Sequence, residues 1–169
     1  MLTENRTTNF TSQAASDAEK NLATLISNAR FLDVEHFQIS STNQEIIFLV
    51  EKLAPERLAL VCQNYSGDLA ELSHAELLDK LLGIDATLQI NGKHIGIDVT
   101  TGKGGVLANK KRKSADLHPI YSVLGIDYFL VLRLRTEFSE DLLINLLSRI
   151  ESIISDPQLS QDFVHVIKL

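Results

Sequence analysis

Apolar positions along this chain follow a helical period in the first half and a strand-like period in the middle. From Ser16 onward, Ala18, Leu22, Leu25, Ile26 and Ala29 recur at three- and four-residue spacing. With Ser16 placed to cap it, this pattern predicts a helix over 16–31. Residues 1–15 are rich in Thr, Asn and Ser without any period, and predict a flexible arm. The run Gln44–Leu53 suits a buried helix or a strand. Pro55 breaks it, and Glu56–Cys62 predicts a second short helix. After the turn cluster Asn64–Asp68, the residues Leu69, Leu72, Ala75, Leu78, Leu81 and Leu82 predict helix with a break near Ser73.

The pattern then changes. Two alternating runs, Ile84–Ile90 and Lys93–Thr100, flank Asn91-Gly92, a dipeptide suited to the positive φ angles of a two-residue hairpin turn. A glycine-rich bend (Gly102, Gly104, Gly105) leads into a helix from about Val106 to Leu117, stopped before Pro119. Tyr128–Leu134 reads as a strand buried on both faces. Ser139 can cap a helix running to Ser155, and Phe163–Leu169 suggests a final short strand. Together these predict an α/β fold: a central mixed sheet flanked by helices, with a helical N-terminal part, as one domain over 16–169.

Composition narrows the class. The chain has 169 residues, 44% hydrophobic and 22% charged, enough apolar content for a real core and too much for wholesale disorder. One cysteine, Cys62, permits no internal disulfide or cysteine zinc site. It points to a reducing compartment, and its apolar surroundings predict a core thiol. No secretory or membrane-spanning stretch is apparent, so a cytoplasmic protein without a membrane partner is expected. The net charge of −6 is unevenly placed. Between Asn91 and His118, six basic residues (Lys93, Lys103, Lys110, Lys111, Arg112, Lys113) face two acids, Asp98 and Asp116. Partners respond to such a local field more than to the total.

The hairpin register brings out candidate chemistry. With Asn91-Gly92 as the turn, Ile90 faces Lys93, Leu88 faces Ile95, Ala86 faces Ile97 and Ile84 faces Val99. On the other face Gln89 meets His94, Thr87 meets Gly96 and Asp85 meets Asp98. Opposed like charges sit about 5 Å apart at Cβ and destabilise a sheet. A hard cation between them turns repulsion into ligation, and Mg²⁺ (or Mn²⁺) is typically held by one or two carboxylates plus substrate phosphate. The bland alternative is a solvated polar face whose aspartates avoid each other by rotamer. Repulsion alone predicts that Asp98→Asn is neutral or stabilises by a few tenths of a kcal/mol.

After Asp98 come Val-Thr-Thr-Gly-Lys-Gly-Gly, a lysine-bearing helix and a buried strand. Here the sequence resembles the PD-(D/E)XK, restriction-endonuclease-like, nuclease superfamily. Asp85 in Gly-Ile-Asp-Ala matches its first acid, and Asp98 in Gly-Ile-Asp-Val matches the second. The resemblance covers residues 84–134. It implies a restriction-endonuclease-like core and a metal-dependent endonuclease, a hydrolase of DNA phosphodiester bonds with RNA as another possible substrate. Asp85 and Asp98 would hold Mg²⁺, and duplex cutting suggests a homodimer.

The lysine expected two residues after Asp98 is Thr100. In the superfamily that lysine can be displaced to a nearby loop or helix, which here means Lys103, Lys110, Lys111 or Lys113, with Lys110 and Lys113 sharing a helix face. Lys103, Lys110, Lys111, Arg112 and Lys113 form the expected nucleic-acid contact. An acid from an earlier helix (Asp17, Glu19, Glu71 or Glu76) could join the site. Should no lysine reach the acids, the alternative is a non-catalytic nucleic-acid-binding or assembly module. Gly96–Gly104 is no phosphate-binding P-loop: five residues separate Gly96 from Gly102, and Gly104 stands where Ser or Thr is needed. His94 lies about 13 Å from Asp98 on an extended strand, too far to share its metal. His36, His74, His118 and His165 show no ligand spacing.

Overall fold

The computed structural model describes residues 34–135 and 139–169. The arm over 1–15, the helix over 16–31, and with it Asp17 and Glu19, lie outside the described residues.

Helix starts follow the side chains that can cap them. Thr42 and Glu45 form a reciprocal capping box at the head of α1 (Asn43–Leu53), which settles the helix-or-strand alternative for that run. Ala54 separates it from α2 (Pro55–Asn64), where Pro55 occupies the first turn that tolerates a missing N–H. The break near Ser73 is real. A 3₁₀ turn, Leu69–Glu71, precedes Ser73, whose hydroxyl accepts the Glu76 amide at 3.2 Å to start α3 (His74–Leu82). Gly83 closes α3 at φ +66°, a left-handed cap that costs glycine little.

A five-stranded mixed sheet has the order β1 (Val34–His36), β2 (Ala86–Ile90), β3 (Lys93–Thr100), β4 (Tyr128–Arg133), β5 (Val164–Lys168). The first two pairings are antiparallel and the last two parallel. The β2–β3 register agrees with the Asn91-Gly92 turn from Ile90–Lys93 to Ala86–Ile97, and Asn91 and Gly92 both have positive φ. The crossover from β3 to β4 runs through α4 (Gly105–Asp116) and α5 (His118–Val123), and that from β4 to β5 through α6 (Glu140–Ser155). Pro119 does not merely stop α4, as the sequence suggests. It sits in the first turn of α5, an element the hydropathy pattern does not reveal.

Two apolar clusters flank the sheet. Leu88, Ile90, Ile95, Ile97, Val99, Leu130 and Leu132 pack against Leu143, Leu146, Leu147 and Ile150 of α6. On the opposite face, Phe129 and Val131 pack with residues of α1 to α5, including Ile46, Val50, Leu77, Leu81 and Tyr121. Tyr121 stacks on Phe129 at 4.5 Å between centroids and donates its hydroxyl to the Leu82 carbonyl. Ile84 departs from expectation: it belongs to this second cluster, not to the Val99 side. The ladder begins two residues later than the alternation suggests, at Ala86, because the Gly83 cap turns Ile84 into the core beneath α3.

Cys62 is exposed on α2, where only Val61 is buried. An apolar stretch of sequence does not make a core thiol when one helix flank faces water. Three of the histidines singled out above have structural partners. His74 bridges Asn43 Oδ1 at 3.1 Å and the Ile39 carbonyl at 3.0 Å. His94 stacks on Phe37, and His118 stacks on Phe163. Among the described residues, no helix is long and apolar enough to cross a membrane.

Candidate active site at the carboxyl end of the third strand

Asp98 lies near the end of β3, on the face covered by α4, and is only 3% exposed. The expectation of an open polar hairpin face does not hold at this residue. Asp85 stands one residue outside β2 and is not a ladder partner of Asp98, because regular pairing stops at Ala86–Ile97. Its backbone amide donates to the Ile97 carbonyl at 2.8 Å, and its Oδ2 accepts the Val99 amide at 2.7 Å. The carboxylate thus takes the ladder's next hydrogen bond, which fixes Asp85 beside the strand segment that carries Asp98.

The helix after the hairpin brings two of the five candidate basic residues here. Lys110 Nζ donates to both carboxylate oxygens of Asp98, at 2.9 and 3.1 Å. Lys113, one turn on, lies over Gly83, its Nζ 3.0 Å from the position a Cβ would take there. Asp98 Oδ2 is 3.7 Å from that same position, so Gly83 is the opening into which lysine and aspartate fit. Lys103 is exposed in the loop after β3, and Lys111 and Arg112 are exposed on the outer side of α4, where Arg112 donates to Asn109. The i, i+3 spacing therefore sorts the basic run: Lys110 and Lys113 face the acids, and Lys111 and Arg112 face solvent.

Residues that sequence reasoning missed complete the surroundings. Arg57 of α2 donates to the Leu81 and Lys80 carbonyls, each at 3.0 Å, holding a positive charge at the carboxyl end of α3. Fully buried Ser114 donates to the Lys110 carbonyl at 2.8 Å. Burial, and then the charge of Asp98, push the Tyr121 hydroxyl above its ordinary range, so it remains protonated. None of these belongs to a local motif. The sole signal for Arg57 is a cation on an otherwise amphipathic helix.

Burial is the main cause that lowers the Lys113 pKa from its ordinary 10.5. Asp98 and Asp85 oppose the shift, while Arg57 and Lys110 add to it. A buried lysine with a depressed pKa is penalised while protonated, and the penalty lifts as pH rises from the depressed value toward 10.5. Wild-type stability should therefore increase relative to Lys113→Met over that window, and be flat relative to it below. Urea melts of both proteins from neutral pH to about pH 10 check this. A difference that is constant across the series would contradict the burial argument.

The donor set can be tested against a hard divalent cation. Among the described residues no group of three or more His, Cys, Asp or Glu side chains is gathered. Were Asp85 and Asp98 to act together, water and phosphate would have to complete a magnesium shell, which that ion accepts. The oxygen donors fit, with one condition: Lys110 must leave Asp98. Its side chain is 26% exposed against 4% for Asp98, so a path into solvent is open to the amine. Comparison with protein-family models, curated proteins and solved structures finds no match to this chain.

Proposed function

We propose that this protein is a Mg²⁺-dependent nuclease that hydrolyses DNA phosphodiester bonds, as the resemblance to the PD-(D/E)XK superfamily implies. One observation carries the reading: the lysine missing at Thr100 has a spatial replacement in Lys110, whose amine touches both oxygens of Asp98. The order of acid, hairpin, acid, helix and strand supports it.

Asp85 and Asp98 would hold the ion, which supplies Lewis acidity at the phosphate. The protein's own groups do the rest. The Val99 amide fixes the Asp85 carboxylate, so that the acid need not be ordered as substrate arrives. Lys110, released from Asp98, offers an ammonium to the negative charge that grows on the phosphate. Lys113 supplies a second cation, its amine over Gly83 beside the Asp98 carboxylate. The apolar walls beneath α3 limit water around these charges and strengthen their interaction.

A second reading has an observation of its own. Because Lys110 occupies both oxygens of Asp98, the same constellation also suits a nucleic-acid-binding module that no longer takes up metal. Incubating supercoiled plasmid with the full chain in Mg²⁺, Mn²⁺ or EDTA separates the two. Nicking or linearisation that requires metal is expected. Retained DNA binding with intact plasmid under every condition would favour the module, and cleavage of RNA alone would change the substrate.

A further inference from the structure

The last rung of the parallel part of the sheet is Thr100 on β3, Arg133 on β4 and Lys168 on β5, directly paired in register. Two residues earlier the same face carries Asp98, Val131 and Val166, so the rung lies one pleat beyond the acid site and on its side of the sheet. Leu132 and Ile167, between these rungs, pack on the α6 face, which confirms the alternation. Thr100 is buried, and its hydroxyl accepts the Gly102 amide at 3.0 Å.

The rung has two costs that no described residue compensates. Neighbouring strands run about 4.8 Å apart, so Arg133 and Lys168 set like charges side by side, which destabilises a sheet. Neither has an ion-pair partner among the described residues. Moreover, Arg133 Nε is buried without a hydrogen-bond acceptor among the described residues. Buried donors are nearly always satisfied, and one left unpaired calls for an absent acceptor. An anion bridging the guanidinium and the Lys168 ammonium removes both costs. Arginine's planar fork suits the tetrahedral oxygens of a phosphate.

We propose that the Thr100–Arg133–Lys168 rung is a phosphate-binding subsite that grips the substrate backbone beside the bond presented to Asp85 and Asp98. This rests on the nuclease reading for the identity of the polyanion, and on the rung's own geometry for the site. Arg133 is here a binding and positioning residue. It makes the substrate a chain with at least two phosphates in reach, one at the acids and one a pleat further along.

Titrating a short fluorescent DNA duplex in EDTA across a salt series, onto wild type, Arg133→Ala, Arg133→Lys and Lys168→Ala, tests this. Arg133→Ala should weaken binding about tenfold and reduce the salt slope by about one, since one phosphate contact is lost. Arg133→Lys keeps the charge and the slope, but should lose about threefold in affinity for want of the fork. It also carries the test if the alanine variant melts without cooperativity. Affinities within twofold of wild type for both Arg133→Lys and Lys168→Ala would overturn the subsite. If the wild type binds no DNA, the nuclease reading fails and inorganic tripolyphosphate decides the rung. A thermal shift present in wild type and lost in Arg133→Lys supports it, and no shift in wild type overturns it.

Discussion

Lys110→Met is expected to destabilise the protein by about 3 kcal/mol, because it leaves the Asp98 carboxylate buried without its ammonium. Breaking a fully buried pair costs up to about 5 kcal/mol, and the lower figure allows for the partial exposure of Lys110. Asp98→Asn should cost less, about 1 kcal/mol, since the long lysine stem can turn its charge out to water. Adding Asp98→Asn to Lys110→Met should restore most of the loss, leaving the double variant about 1 kcal/mol below wild type and giving a coupling of about 3 kcal/mol in a double-mutant cycle by urea denaturation. This reverses the expectation from carboxylate repulsion alone, under which Asp98→Asn is neutral or stabilising. The reversal has a simple cause: the nearest charge to Asp98 is a lysine 12 residues along the chain, not the aspartate across the hairpin. Two unaltered single variants would show that the pair is a solvated contact of no energetic consequence.

The second large effect concerns chemistry. Asp98→Asn should lower metal-dependent DNA cleavage by about 1,000-fold or more, since it removes one of two carboxylates available to the ion. Its modest stability cost leaves the protein folded under assay conditions, so the loss is separable from unfolding by a melt of the same preparation. Lys110→Met should also reduce turnover, while binding Mn²⁺ more tightly than wild type, because ion and amine compete for the same oxygens. Reduced turnover with tighter metal binding is a pattern that a purely structural salt bridge does not produce. Equal cleavage by wild type and Asp98→Asn would remove Asp98 from the reaction.

Much of this arrangement was legible in the chain because it rests on local rules. Asn91-Gly92 sets the hairpin register, Ser139 caps α6 through the Leu142 amide, and four consecutive buried residues mark β4. The same register set Asp85 directly opposite Asp98, a ladder pair that the structure does not form, since regular pairing stops at Ala86–Ile97. Local rules stopped where tertiary packing took over. The Gly83 cap draws Ile84 to the other face and ends the ladder before Asp85, and a period-two pattern carries no sign of that. Sequence proximity favoured Lys103 as much as Lys110, and only the rotation of α4 against the sheet selects Lys110 and Lys113. Arg57 and Tyr121 reach the site from separate helices, through the carbonyls that end α3. Arg133 closes a strand that reads as largely apolar, and its place beside Lys168 depends on which strand becomes the neighbour of β4.

The central claim is that Asp85 and Asp98 form a cation site guarded by Lys110, and calorimetric titration of Mn²⁺ tests it most directly. Wild type should bind about one ion per chain, Asp98→Asn should lose that binding, and Lys110→Met should bind more tightly by about tenfold, the release of roughly 1.4 kcal/mol of competition. Binding that is absent from wild type, or unchanged by Asp98→Asn, would contradict the claim.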